Sequence, residues 1–184
     1  MQAVSLFIYL LLFVANGALS KVELLDMNNK KTNIPFSQAK KGTIIYFLSP
    51  ECPLCQSYTL TIAQIEKEYS KKGFQFFAII PGKEFTKNEV IIFKNKYKLS
   101  ALPFLFDPNL NLVKYTKAST TPEVLVFDKN EKKIYQGRID NWAYELGKKR
   151  TVITENDLRN VLHKLDQNIS LKPYQTKAVG CFIN

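Results

Sequence analysis

Three cysteines occur in this chain of 184 residues, and two of them, Cys52 and Cys55, are separated only by Pro53 and Leu54. Two thiols at that spacing can close a small ring with each other if the backbone holds them on one turn of helix. The flanking sequence is built to do that. Thr43-Ile44-Ile45-Tyr46-Phe47-Leu48 is rich in β-branched and aromatic residues, as a central strand should be, and Ser49-Pro50-Glu51 turns the chain. Beyond the pair, Leu54, Tyr58, Ile62, Ile65 and Tyr69 recur at steps of three and four, the apolar stripe of a helix lying on a sheet. Gln64, Glu66, Lys67 and Glu68 fall off that stripe, and Pro53 suits the first helical position, where its missing N–H costs nothing. The leading sulfur then faces unsatisfied backbone N–H groups that favour its thiolate. The expected chemistry is disulfide exchange, with Cys52 attacking and open to a visiting disulfide, and Cys55 resolving.

The helix end sets a bound on how far the thiol shifts. It contributes about 0.3–1 kcal/mol at an exposed site, and one pKa unit corresponds to about 1.4 kcal/mol. The terminus alone therefore moves Cys52 by less than about one unit, and the neighbouring carboxylate of Glu51 opposes it. A moderate lowering is expected.

The remaining elements alternate in a way that places this pair on a sheet. Val22-Glu23-Leu24-Leu25-Asp26 and the turn Asn28-Asn29-Lys30-Lys31 predict an opening hairpin, with Ile34-Pro35-Phe36 leading to the first core strand. Gly73 ends the first helix, and Phe74 to Ile80 is apolar enough to be a strand covered on both faces, which completes a βαβ unit. Thr86 to Tyr97 predicts a second helix through Val90, Phe93 and Tyr97. Leu102 to Phe106, Asp107-Pro108-Asn109 and Leu110 to Tyr115 read as a short strand and a turn that redirects the chain. Val124 to Phe127 and Lys133 to Gly137 pair as a hairpin around Asp128-Lys129-Asn130-Glu131, and Asp157 to Leu165 closes the domain as a helix. The order is β-α-β-α-β-β-α, an α/β class with a central mixed sheet flanked by helices and an N-terminal β extension.

A chain this long, with 46% hydrophobic residues, can bury one good core. Residues 1–20 carry no Lys, Arg, Asp or Glu, and the run Leu6 to Val14 followed by small residues at 18 and 20 predicts a signal peptide cut before Lys21. The apolar run is shorter than the roughly 20 residues of a bilayer span, so membrane contact is expected only through an uncleaved leader. The expected organisation is 1–20 leader, 21–167 domain and 168–184 tail, and the expected location is secreted or periplasmic, where a dithiol can cycle. The formal charge of +10 comes mostly from scattered pairs such as Lys40-Lys41, Lys71-Lys72 and Lys132-Lys133. It reads as solvated surface, with no nucleic-acid partner.

Together these features make the chain resemble the thioredoxin-like superfamily, and within it the exported redoxin-domain proteins of AhpC/TSA-like and TlpA-like type. The likeness runs over roughly residues 22 to 165 and rests on Phe47-x4-Cys52-Pro53-Leu54-Cys55, followed by Thr120-Thr121-Pro122-Glu123 before a strand. It implies a thiol-disulfide oxidoreductase that needs no cofactor or metal, acting on protein or small-molecule disulfides, with a disulfide- or thiol-bearing protein substrate and a separate redox partner. Cys52 and Cys55 would be its catalytic residues, and Thr121, a cis Pro122, Pro53 and Leu54 would contact the substrate, Thr121 through its backbone in the manner of strand addition. The sequence departs from that family where many members have a buried Asp six residues before the leading cysteine, here Tyr46, and Trp directly before it, here Glu51. The segment from Gly137 to Arg150 with the sole tryptophan, Trp142, and the Gly180-Cys181 tail resemble features of a bacterial redoxin subgroup.

Other readings compete. Ser49-x2-Cys52 echoes a peroxiredoxin thiol peroxidase, but Ile45 stands where that family's motif has proline. A copper-delivery module of the same fold would use a wider cysteine spacing and a histidine, whereas the only histidine is His163; a non-catalytic module that binds a partner or copper would keep its affinity in Cys52→Ser. A zinc site of Cys52, Cys55, Cys181 and His163 has the right ligand count, yet zinc thiolates favour tight turns over a helix opening. Cys181, the third thiol, stands as a resolving sulfur, an intermolecular crosslink or an inert residue. About fifteen residues of tail at about 3.3 Å each would let it reach the pair.

Overall fold

A computed structural model describes residues 19–184, so the predicted leader lies almost wholly outside the described residues. Eight strands form one mixed sheet. In chain order its members are β1 (Leu24–Leu25), β2 (Lys31–Thr32), β3 (Gly42–Phe47), β4 (Phe74–Pro81), β5 (Phe104–Asp107), β7 (Glu123–Asp128), β8 (Lys133–Gly137) and β11 (Tyr174–Gln175). Between β5 and β7 lies the two-residue strand β6 (Thr120–Thr121), which belongs to a separate pair. Across the sheet the order is β11-β8-β7-β3-β4-β5-β1-β2. The centre β3-β4-β5 is parallel, while β7 lies antiparallel to β3, and β8 antiparallel to β7. The N-terminal hairpin joins the sheet through β1 against β5, so the β extension is an integral edge.

Both faces of β3 are buried, and its side chains alternate between two cores as pleating requires. Ile44, Tyr46 and Leu48 pack with helix α1 (Pro53–Tyr69), with Val90 and Phe93 of α2 (Lys87–Lys96), and with Leu158, Val161 and Leu162 of the last helix, α4 (Asp157–Asp166). Ile45 and Phe47 face the other way, against Ile34, Phe36, Leu125 and Phe127. The stripe Leu54, Tyr58, Ile62, Ile65 and Tyr69 is buried as its spacing predicts. Helix α2 begins at a capping box, in which Thr86 and Glu89 satisfy each other's backbone N–H. Gly73, at φ 93°, ends the first helical segment and accepts the N–H groups of Lys40 and Lys41 on its carbonyl.

One segment departs from the sequence reading. Residues after Leu110, read as part of a strand and turn, form a short helix, α3 (Asn111–Thr116). The cause is tertiary. Asp107, fully buried at the end of β5, accepts the N–H groups of Asn111 at 2.8 Å and Val113 at 3.0 Å, which supplies the partners a helix start needs, and Leu112 and Val113 then reach the second core. Burial raises the Asp107 carboxyl, partly offset by those hydrogen bonds.

The 138–150 segment carries a small hairpin, β9 (Ala143–Glu145) and β10 (Lys148–Lys149). It is fastened to α1: the Tyr58 hydroxyl donates to Asp140 at 2.6 Å, the Trp142 N–H donates to the same oxygen at 2.9 Å, and the two rings meet edge-on at 5.4 Å. Trp142 is half-buried, so it anchors the loop. The tail also returns to the domain, as β11 beside β8 and as β12 (Cys181–Phe182) antiparallel to β6. Among the described residues no helix is long and apolar enough to cross a membrane.

Candidate active site

The chain leaves β3, is turned by residues 48–51, and enters α1 with Cys52 as the N-cap and Pro53 at the first helical position. Cys52 donates its N–H to the Ser49 carbonyl at 3.2 Å, and its own carbonyl accepts the first helical bond, from Gln56 N–H at 3.0 Å. The Gln56 side chain donates to the Pro50 carbonyl at 2.8 Å and latches the turn. Cys55, one turn on, is fully buried and accepts the Ser49 N–H at 3.4 Å. All three cysteines are free thiols.

Opposite the pair lies the loop before β7, with a cis Thr121–Pro122 peptide. The Cys52 thiol donates to the Thr121 carbonyl at 3.1 Å, so the two motifs predicted to share a site meet directly. Glu123, buried directly after the proline, holds this loop. Its carboxylate accepts the N–H groups of Ser119 at 2.9 Å and Thr120 at 3.2 Å and the Gln136 amide at 2.7 Å. Sequence reasoning gave Glu123 no role. The available signal was a carboxylate opening an otherwise apolar strand, which needs partners if buried.

The electrostatics separate the two thiols. Cys52 is lowered from 9.0 to about 5, first by a hydrogen bond with the Cys55 thiol, then, against the cost of burial, by the Cys181 thiol and the N–H groups of Cys55 and Cys181. Cys55 is raised well above 9.0 by burial and by the neighbouring Cys52. The drop at Cys52 exceeds the moderate shift predicted from the helix end, because two thiols are added donors. Cys181 itself is pushed up to about 12 by burial and by Cys52.

Two expectations need correction. Cys52 is only 2% exposed, so its sulfur is not open in this conformation. Cys181 of the tail packs against the core cluster that contains it. Leu54, expected to contact substrate, turns into that same cluster, whereas Pro53 is exposed. Tyr46, six residues before Cys52, is fully buried, and its hydroxyl has no partner among the described residues. Burial raises its phenol, so it holds its proton where a carboxylate would exchange one. His163 lies in the last turn of α4, and no cluster of three His, Cys, Asp or Glu side chains able to hold a metal occurs among the described residues.

The Redoxin family profile matches residues 13–153, which is most of the chain. The chain belongs to the Redoxin family. Solved structures similar to this redoxin share the thioredoxin-like fold. A hypothetical protein of Sinorhizobium meliloti 1021 aligns with a TM-score of 0.75 at 22% identity, covering 88% of this chain and 89% of that one. An uncharacterized conserved protein of Geobacillus kaustophilus aligns with a TM-score of 0.74 at 20% identity, covering 88% and 87%. A secreted Mycobacterium tuberculosis disulfide oxidoreductase homologous to E. coli DsbE aligns with a TM-score of 0.55 at 13% identity, covering 80% and 96%. No curated protein matches this redoxin in sequence.

Proposed function

We propose that this redoxin is an exported thiol-disulfide oxidoreductase. The observation that carries the reading is the pairing, at one helix start and against a cis-proline loop, of a thiol lowered to about 5 with a buried thiol held well above 9.0. Cys52 is then a thiolate at neutral pH and attacks one sulfur of a substrate disulfide, releasing the other as a thiolate. Once Cys52 is bonded to the substrate its negative charge is gone, and with it one cause of the high Cys55 pKa. Cys55 loses its proton and attacks Cys52, and the second substrate sulfur leaves with the electron pair. The pair ends oxidised, and a partner dithiol resets it by the reverse steps, ending as a disulfide itself. Thr121 and Pro122 line the approach to Cys52, and Pro53 is the exposed side chain of the motif.

Export is supported by the uncharged leader and by the likeness to a secreted disulfide oxidoreductase. Turnover of a protein disulfide by the reduced chain tests the activity. Cys52→Ser should abolish it, and replacing Cys55 and Cys181 together by Ser should accumulate the mixed disulfide on Cys52. Activity that survives Cys52→Ser would refute the reading.

A further inference from the structure

The tail contributes a third sulfur to this site by a specific route. Thr176 fastens it beside β8, with its N–H on the Gln136 carbonyl at 3.0 Å and its hydroxyl paired with that of Tyr135 at 2.6 Å. After Lys177 and Ala178 the chain crosses the cis-proline loop. There Gly180 runs so close that a Cβ would lie 2.1 Å from the Thr121 carbonyl oxygen and 3.1 Å from the Pro122 nitrogen. Strand β12 follows, with Cys181 in register with Thr121 and Phe182 with Thr120, and Ile183 donates its N–H to Ser119 at 3.0 Å. Residues 119–121 are the backbone edge beside Cys52, the place where an extended peptide would add as a strand. The chain covers that edge with its own strand and sets a cysteine opposite the residue whose carbonyl accepts the Cys52 thiol.

We propose that the C-terminal strand is a built-in occupant of the substrate edge and that Cys181 is a third redox thiol, which forms a disulfide with Cys52. This rests on Cys52 being the exchanging thiol. When substrate has left Cys52 bonded to Cys55, the Cys181 sulfur gives up its proton and attacks Cys52. The Cys52–Cys55 bond breaks, Cys52–Cys181 forms, and the electron pair and a proton pass to Cys55. No net oxidation occurs, and a partner dithiol then reduces Cys52–Cys181: one partner sulfur attacks the more exposed Cys181 and releases Cys52, and the second displaces Cys181, leaving the partner as a disulfide. The hydrogen bond and charge of Cys52, which with burial keep Cys181 protonated, are lost once Cys52 is in a disulfide, so the third thiol becomes active only after the first has reacted. A polypeptide substrate must lift residues 179–184 to reach a sulfur that is 2% exposed.

The test uses the full chain. Cys55→Ser treated with the thiol oxidant diamide and digested without reduction should lose both remaining thiols and yield a Cys52–Cys181 linked peptide from monomer. The same peptide should appear in wild type at substoichiometric oxidant, which guards against misfolding of the variant. Two titratable thiols left in the variant, or links only between chains, would overturn the proposal. A second arm uses Gly180→Ala, whose methyl must unseat the strand. Alkylation of Cys52 above pH 9.0, where its ordinary thiol is already ionised, should quicken about tenfold as the hydrogen bonds holding the strand are lost, and an unchanged rate would overturn the occupancy claim. Neither arm needs turnover. A Cys52–Cys181 link in a chain that turns over no disulfide would refute the function proposed above and leave this inference standing, and turnover without the link would do the reverse.

Discussion

The sheet is extended from both chain ends, and the two additions do different work. At one edge the N-terminal hairpin adds β1 against β5 and buries Leu24 to 1% exposure. At the other end the tail adds β11 to β8 and β12 to the loop beside the thiols, where it leaves Phe182 76% exposed and Cys181 half-buried. The first addition is fastened by an apolar side chain in a core. The second is fastened by backbone hydrogen bonds over a reactive sulfur, with only partly buried side chains, Val179, Cys181 and Ile183, against the cores. An apolar anchor in a close-packed core is costly to release, whereas a strand held by a few hydrogen bonds, at about 0.5–1.5 kcal/mol net each, can open. Strand addition therefore serves stability at the first edge and access at the second.

Five measurements would break or sharpen that contrast. Leu24→Ala should lower stability in chemical denaturation by about 2–5 kcal/mol while leaving the exchange rate of Cys52 intact, and a slowed exchange would mean the two edges are coupled. Glu123→Ala strips the acceptor from two loop N–H groups and from Gln136. It should cost about 1–3 kcal/mol and also slow disulfide exchange, since the loop it holds carries Thr121. The rate of Cys52 alkylation should fall about tenfold per unit as pH drops below about 5, because the lowered thiol stays ionised down to that value and is protonated beneath it. In Cys181→Ala the loss of one thiol donor should move the midpoint of that profile upward. Removing the exposed Lys148–Glu145 pair by Lys148→Ala should change stability by less than about 1 kcal/mol, which makes it the control for the insertion hairpin.

Much of the frame was legible in the residues. The stripe of α1, the thiol pair at its start and the β7–β8 hairpin each follow from local pattern, because apolar period, proline position and turn chemistry act within a few residues, whereas the Thr121–Pro122 loop was placed beside the thiols by the family resemblance. Helix α3 was not legible, since its start is held by Asp107, a carboxylate buried by the sheet and read beforehand as part of a turn. Leu54 was read as a contact for substrate from the family resemblance, yet its place on the helical stripe sends it inward. The size of the Cys52 shift depended on sulfurs that the local helix argument left out.

By itself the sequence determined that two thiols would share one helical turn at the end of a buried strand, because that arrangement depends only on spacing, proline and periodicity. Only the tertiary structure decided that a third sulfur, 126 residues beyond Cys55 along the chain, comes within hydrogen-bonding reach of Cys52. That contact is made by backbone pairing of the tail with residues 119–121, and the hydrogen bonds of a strand carry no side-chain pattern from which a partner could be read.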